Sequence, residues 1–135
     1  MIDKFIEVAR SMVGVPYKHH GRSRQGVDCV GLIVVVAEEL GIELQGHTDY
    51  KKVPNPDTLL KGILTHCTRT RGLSITPGNI ALMEFSTVTG ATHVGIITDL
   101  GILHAHEVRG YVAEHRINDQ WRKRIKATFS INEFG

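Results

Sequence analysis

Residues 28–41 read DCVGLIVVVAEELG, and whether they form a strand or a helix decides the fold. The valines and the isoleucine suit a buried strand. Three features point the other way: thirteen residues run before Gly41, Asp28 is a good N-cap, and the AEEL tail is rich in helix formers. Together they predict a buried helix with Cys29 at its first position. Gly31 keeps the first turn slim, so another backbone or a substrate can approach closely.

Upstream, Asp3 is placed to cap a helix in which Phe5, Ile6, Ala9, Met12 and Val13 form one apolar stripe, ended by Gly14 and Pro16. The polar loop YKHHGRSRQGV links it to Asp28. Downstream, residues 42–54 read as irregular. NPDTLLKGILTHC then carries a helix start, with Asn55 as cap and Pro56 at the first position. Its apolar side is Leu59, Leu60, Ile63, Leu64 and Cys67, so Cys67 reads as core filler.

From residue 74 short apolar stretches alternate with turn residues: NIALMEF, HVGIITD, ILHAHEV, YVAEHRI and finally ATFSI. These are strands of an antiparallel sheet, and helices followed by a meander give an α+β class. A chain of 135 residues forms one domain, residues 1–135, burying roughly 65–70% of its unfolded surface.

Two cysteines make no disulfide framework. A net charge of +2 is too weak to suggest a nucleic-acid partner, and the basic run WRKRIK at 121–126 reads as a solvated face. MIDKFIEVAR lacks the apolar core of a signal peptide, and VGLIVVVA at 30–37 falls far short of the ~20 residues that span a bilayer. The expectation is a soluble protein with no membrane insertion and no export address.

A cysteine at a helix N-terminus meets unpaired N–H groups and the positive end of the dipole, both of which favour the thiolate. A neighbouring imidazolium can lower a thiol from ~8.5 to ~4–7. The same N–H groups can receive an oxyanion. Eight histidines are available, three of them at 93, 104 and 106 on the expected sheet. Alternation places His93, Gly95 and Ile97 on one face, and His104 with His106 on one face of the next strand. A hairpin centred near Leu100 brings His93 and His104 to within about two residues of being opposite. Cysteine, histidine and a second polar group holding that histidine make a nucleophile, a base and an orienter. His106 and His115 read as ordinary strand histidines. A zinc set of Cys29, His93, His104 and His106 is the lesser alternative, because C-x-x-C and H-E-x-x-H are both missing.

The stretches GVPYKHHG, DCVGL, THVGIIT and ILHA occur in the order and approximate spacing of the NlpC family of cell-wall cysteine peptidases, which this chain resembles over roughly residues 3 to 115. The resemblance implies a papain-like fold with the nucleophile helix packed on an antiparallel sheet. It assigns Cys29 as nucleophile, His93 as base and His104, in preference to His106, as the residue orienting the base. Tyr17 matches a tyrosine near the oxyanion, and Asp28 an acid that can face a substrate amino group besides capping the helix. Val30 departs from the serine usual after the cysteine. EHRINDQWRKRI resembles the branch found in phage tails and gene-transfer particles.

What this implies is a peptidase for peptidoglycan stem peptides, cutting between the γ-carboxyl of D-glutamate and a diamino acid without metal or organic cofactor. As a phage tail component made in the host cytoplasm, it would meet tail-tip or hub proteins. Two rivals stand beside it: a tail-assembly protein that keeps the fold with little hydrolysis, and an amidase or acyltransferase using the same Cys–His chemistry.

Overall fold

The structure, a computed structural model, describes residues 1–44 and 56–134. Helix α1 spans Ile2–Ser11, and Phe5, Ile6 and Ala9 face inward. Asp3 does not cap it: the cap position falls to Met1, which makes no side-chain bond, and Asp3 sits in the first turn, where its charge favours the dipole. Met12 is buried but Val13 is exposed, because the helix ends at Ser11 and the chain turns through Gly14 at φ +93°.

A two-stranded ladder follows, β1 (Arg22–Ser23) against β2 (Gly26–Val27). Residues 29–39 are helix α2, Cys29–Glu39, with Asp28 as its cap. Every residue from Gly31 to Ala37 is buried, which is why the segment reads as apolar all round. Strand-like valines are tolerated in a helix when packing on every side outweighs their propensity. Helix α2 lies against α1, the small ladder and the main sheet.

Helix α3 is Pro56–His66, opening at Pro56 as expected. Its expected cap, Asn55, lies outside the described residues, as do 45–54 of the irregular segment. Leu59 is buried and Leu60 and Ile63 pack on the core, but Leu64 is exposed. Cys67 leaves the helix to begin β3 (Cys67–Arg69), where it is buried.

The main sheet has six antiparallel strands in the order β3, β8, β4, β5, β6, β7, where β4 is Ile80–Ser86, β5 Gly90–Ile97, β6 Ile102–His106, β7 Tyr111–His115 and β8 Ile125–Ile131. The expected α+β class with a nucleophile-bearing helix on an antiparallel sheet is what is found. Helix α2 packs with Leu82, Val94, Ile96, Leu103 and Ala105 on one face. The alternate residues Ala81, Met83, Ile97 and Ile102 form a second cluster with Ile125, against which Trp121 packs. Trp121 belongs to a short helix, α4 (Asp119–Arg124), capped by Asn118, whose side chain accepts from the Trp121 N–H. The basic run is therefore not simply a solvated face: Arg122 and Lys123 are exposed, while Trp121 and Arg124 turn inward. Among the described residues no helix is long and apolar enough to cross a membrane.

Candidate active site

The start of α2 is held by one carboxylate. Asp28 is buried, and its Oδ1 accepts from the Gly31 N–H at 2.7 Å and from Arg22 Nη1 at 2.9 Å. Its Oδ2 accepts from the His20 N–H at 3.0 Å, which pins His20 in the left-handed region at φ 64°. The capping role of Asp28 is thus realised, and the carboxylate also fastens the 18–28 loop to the helix. Gly31 sits where this loop presses closest: a Cβ there would overlap the Gly21 carbonyl oxygen.

Cys29, Tyr17, His93, His106, Arg109 and Trp121 are among the residues that border one cavity of about 890 Å³. Val30, in the place of the usual serine, borders it too and packs on the core. Both cysteines are free thiols.

The imidazoles are brought together by sheet register. Ile96 pairs with Leu103 and Ile97 with Ile102, a hairpin centred between Asp99 and Leu100, one half-step from the expected position. Continuing that register sets Gly95 opposite His104, where a Cβ would stand 3.1 Å from the His104 Cβ. The missing side chain is what lets the His104 ring lean toward its diagonal neighbour. His93 Nε2 and His104 Nδ1 meet at 2.7 Å. His106 turns away, its Nδ1 accepting from the Arg109 N–H at 3.2 Å, so of the two candidates His104 is the one that holds His93. Among the described residues no hydrogen bond joins the Cys29 sulfur to the His93 ring; they meet as walls of the same cavity. Nor does any group of three His, Cys, Asp or Glu side chains among them stand ready to hold a metal ion.

Three contributors were not read from the sequence. His115 Nε2 lies 2.9 Å from His104 Nε2, extending the pair to a row of three rings. Trp121 covers that row, with its ring centroid 4.6 Å from His115 and 5.2 Å from His104. Arg124 lies over both Trp121 and Phe85, at 4.6 and 5.0 Å from their ring centres. The signal for His115 was its place two residues beyond the partner of His104, Ala113, on the same strand face.

Burial shapes the protonation states. It pushes the Cys29 thiol up to about 11, and the nearby Asp28 charge adds to this; the backbone N–H groups of Val94 and Val30 pull the other way. His93 is driven down to about 3 by burial and by His106, and His104 to about 2 by burial and by its imidazole neighbours. Burial therefore works against the expected thiolate: desolvation opposes the pull of the helix N-terminus and favours a neutral thiol beside neutral imidazoles. Tyr17 is raised by burial and by Cys29, so its phenol keeps its proton.

Acid should unfold this row. His93 and His104 bind protons less readily folded than unfolded, so their stabilisation is complete above pH 6.5 and is lost as pH falls toward about 3. By pH 5 the loss amounts to about 2 kcal/mol per imidazole. Urea midpoints at pH 7.5, 6 and 5 measure it above the range where the carboxylates titrate. Equal midpoints would mean that the folded rings accept protons freely.

The NlpC/P60 family profile matches residues 14–129. A probable endopeptidase NlpC of Escherichia coli strain K12 is 27% identical over 115 residues, 84% of this chain and 68% of that protein. The NlpC/p60 domain of the peptidoglycan hydrolase SagA has a TM-score of 0.71 at 20% identity, covering 97% of this chain and 99% of the other. The peptidoglycan hydrolase RipB of Mycobacterium tuberculosis gives 0.66 at 17%, covering 96% and 63%. These two structures share the α+β fold. With the profile running from Gly14 to Phe129, across α2, the cavity and the sheet, the chain belongs to the NlpC/P60 family.

Proposed function

We propose that the protein is a cysteine peptidase of peptidoglycan stem peptides, cutting between the γ-carboxyl of D-glutamate and a diamino acid. The observation that carries this reading is one cavity bordered by Cys29 at the start of α2 and by His93, whose Nε2 is engaged by His104. That contact leaves His93 Nδ1 as the nitrogen for proton transfer.

The neutral resting pair sets the order of events. Substrate entry brings the Cys29 sulfur and His93 Nδ1 into contact, a tightening common on going from a free to a loaded site. The thiol passes its proton to His93 as the sulfur attacks the carbonyl. The N–H groups at the start of α2 and the protonated phenol of Tyr17 receive the oxyanion. His93 then protonates the leaving amine, and a water activated by the same ring releases the acyl group. Asp28 holds the helix start, its oxygens taking three donors, and as it also borders the cavity its remaining acceptor capacity can face a substrate amino group. Arg109 and Arg124 border the cavity and suit the carboxylates of such a peptide.

The relatives support this substrate class: SagA and RipB are peptidoglycan hydrolases by name. Placement in a phage tail belongs to the same proposal and rests on the segment 114–125; copurification with tail-tip proteins supports it, and occurrence only as free protein counts against it. The chemistry is tested with purified muropeptides and mass spectrometry of the products. Two fragments, one ending in D-glutamate and one beginning with the diamino acid, are expected. Release at a different bond would point to an amidase or acyltransferase, and intact muropeptides to an assembly protein.

A further inference from the structure

Three imidazoles in a row raise a question that a pair does not: where are the protons? His93 Nε2 faces His104 Nδ1 at 2.7 Å, and His104 Nε2 faces His115 Nε2 at 2.9 Å. The outer nitrogen of the last ring, His115 Nδ1, lies 2.9 Å from the carbonyl oxygen of Arg116. A carbonyl oxygen can only accept, so His115 Nδ1 carries a proton and donates it. Each neutral imidazole has one N–H and one bare nitrogen. With a neutral His115 its Nε2 is then bare, and the proton between the two facing Nε2 atoms belongs to His104. His104 Nδ1 is in turn bare, and the proton between the first two rings belongs to His93 Nε2. The nitrogen left bare on His93 is Nδ1, the one free of the row.

We propose that His115 is a positioning residue which, by donating to the Arg116 carbonyl, fixes the tautomers of His104 and His93 so that His93 Nδ1 is the proton acceptor. The inference rests on the reading of His93 as the base and deepens it. Reversing the end of the row shows its force. A proton on His115 Nε2 would move the His104 proton to Nδ1 and the His93 proton to Nδ1 as well. His93 would then present an N–H to the thiol and could not deprotonate it. A Cys–His–His site whose second ring faced solvent would have no such control, because water both donates and accepts. Here His104 is fully buried, and Trp121 lies against both it and His115, which keeps water from the middle ring of the row. His115 touches no part of the cavity wall, so its effect passes through the other rings.

The proton order is read directly from two-bond proton–nitrogen correlations of the histidine rings in 15N-labelled protein. Expected are His115 as Nδ1–H, and His104 and His93 as Nε2–H. His115→Phe keeps a ring against Trp121 but removes both nitrogens. His104 should then populate both tautomers, and kcat on a muropeptide should fall about 10- to 100-fold with KM little changed. His115→Gln, which can set an acceptor oxygen where Nε2 stood, should restore kcat to within about threefold of wild type. His104 as Nδ1–H in the wild type overturns the inference. So does a His115→Phe protein with wild-type ring signals, or one changed in KM alone. Should His115→Phe fail to fold, the wild-type spectrum and His115→Gln still decide. A wild type that shows this proton order yet leaves every muropeptide intact upholds the positioning and removes the peptidase reading.

Discussion

Cys29→Ala leaves a folded protein whose kcat/KM on stem peptides is at least about 10⁴-fold lower. The stability half of this result follows from where the residue sits. The helix is started by Asp28, whose bonds to the Gly31 N–H, Arg22 and the His20 N–H do not involve Cys29. Behind it the buried run from Gly31 to Ala37 anchors α2 without the sulfur. Alanine is also the best helix former, so little is lost at the first position. The activity half follows from chemistry. No other described thiol stands at a helix start: Cys67 begins β3 and is buried. Binding and the oxyanion donors survive the change, so residual hydrolysis measures what they do without a nucleophile. Product formation followed by chromatography, beside a thermal melt of each protein, checks both halves. If Cys29→Ala kept more than about a tenth of the activity, the nucleophile would lie elsewhere. If it lost activity only together with its melting transition, the cysteine would be a packing residue.

What could be read in advance separates along physical lines. Helix α2 was legible because a cap, a length and a helical tail agree, and packing did not overrule them. The His93–His104 pair was legible because strand register is discrete and the hairpin is short. The small ladder at 22–27 was not, since two-residue strands carry no periodicity and their packing against α2 is a tertiary contact. Helix α4 was hidden by its charges: a six-residue helix offers little pattern, and the inward turn of Trp121 depends on the far strands. His115 was passed over because its contact is diagonal, two positions beyond the partner of His104, and needs the rings turned toward each other. The burial that opposes ionisation of Cys29 was hidden for a different reason. A helix N-terminus is visible in sequence, whereas the depth of the cavity that desolvates the thiol is a property of the folded whole.

The second large effect comes from a residue with no chemistry at all. Gly31→Ala should destabilise the protein by more than about 3 kcal/mol, enough to leave much of it unfolded at 37 °C. The added methyl would overlap the Gly21 carbonyl oxygen and come within 2.7 Å of Arg22 Nη1 and 3.0 Å of Asp28 Oδ1. None of the three can yield cheaply. Arg22 Nη1 donates both to the Gly21 carbonyl and to Asp28, and the Gly21 N–H donates to the Lys18 carbonyl at 2.8 Å. Moving the loop therefore breaks a part-buried ion pair, and moving the helix instead withdraws Cys29 from the cavity. Gly62→Ala provides the contrast. It too is a helix interior, but a methyl there meets nothing within 4 Å, so propensity alone acts and stability should rise by up to ~1 kcal/mol. Urea denaturation of the two variants separates close approach from glycine content. A Gly31→Ala protein within about 1 kcal/mol of wild type would mean that the 18–28 loop gives way without loss. In the expected case hydrolysis falls at least in step with the folded fraction. Cys29→Ala gives the opposite pattern, full folding with no turnover, so the pair distinguishes residues that shape the start of α2 from the one that reacts there.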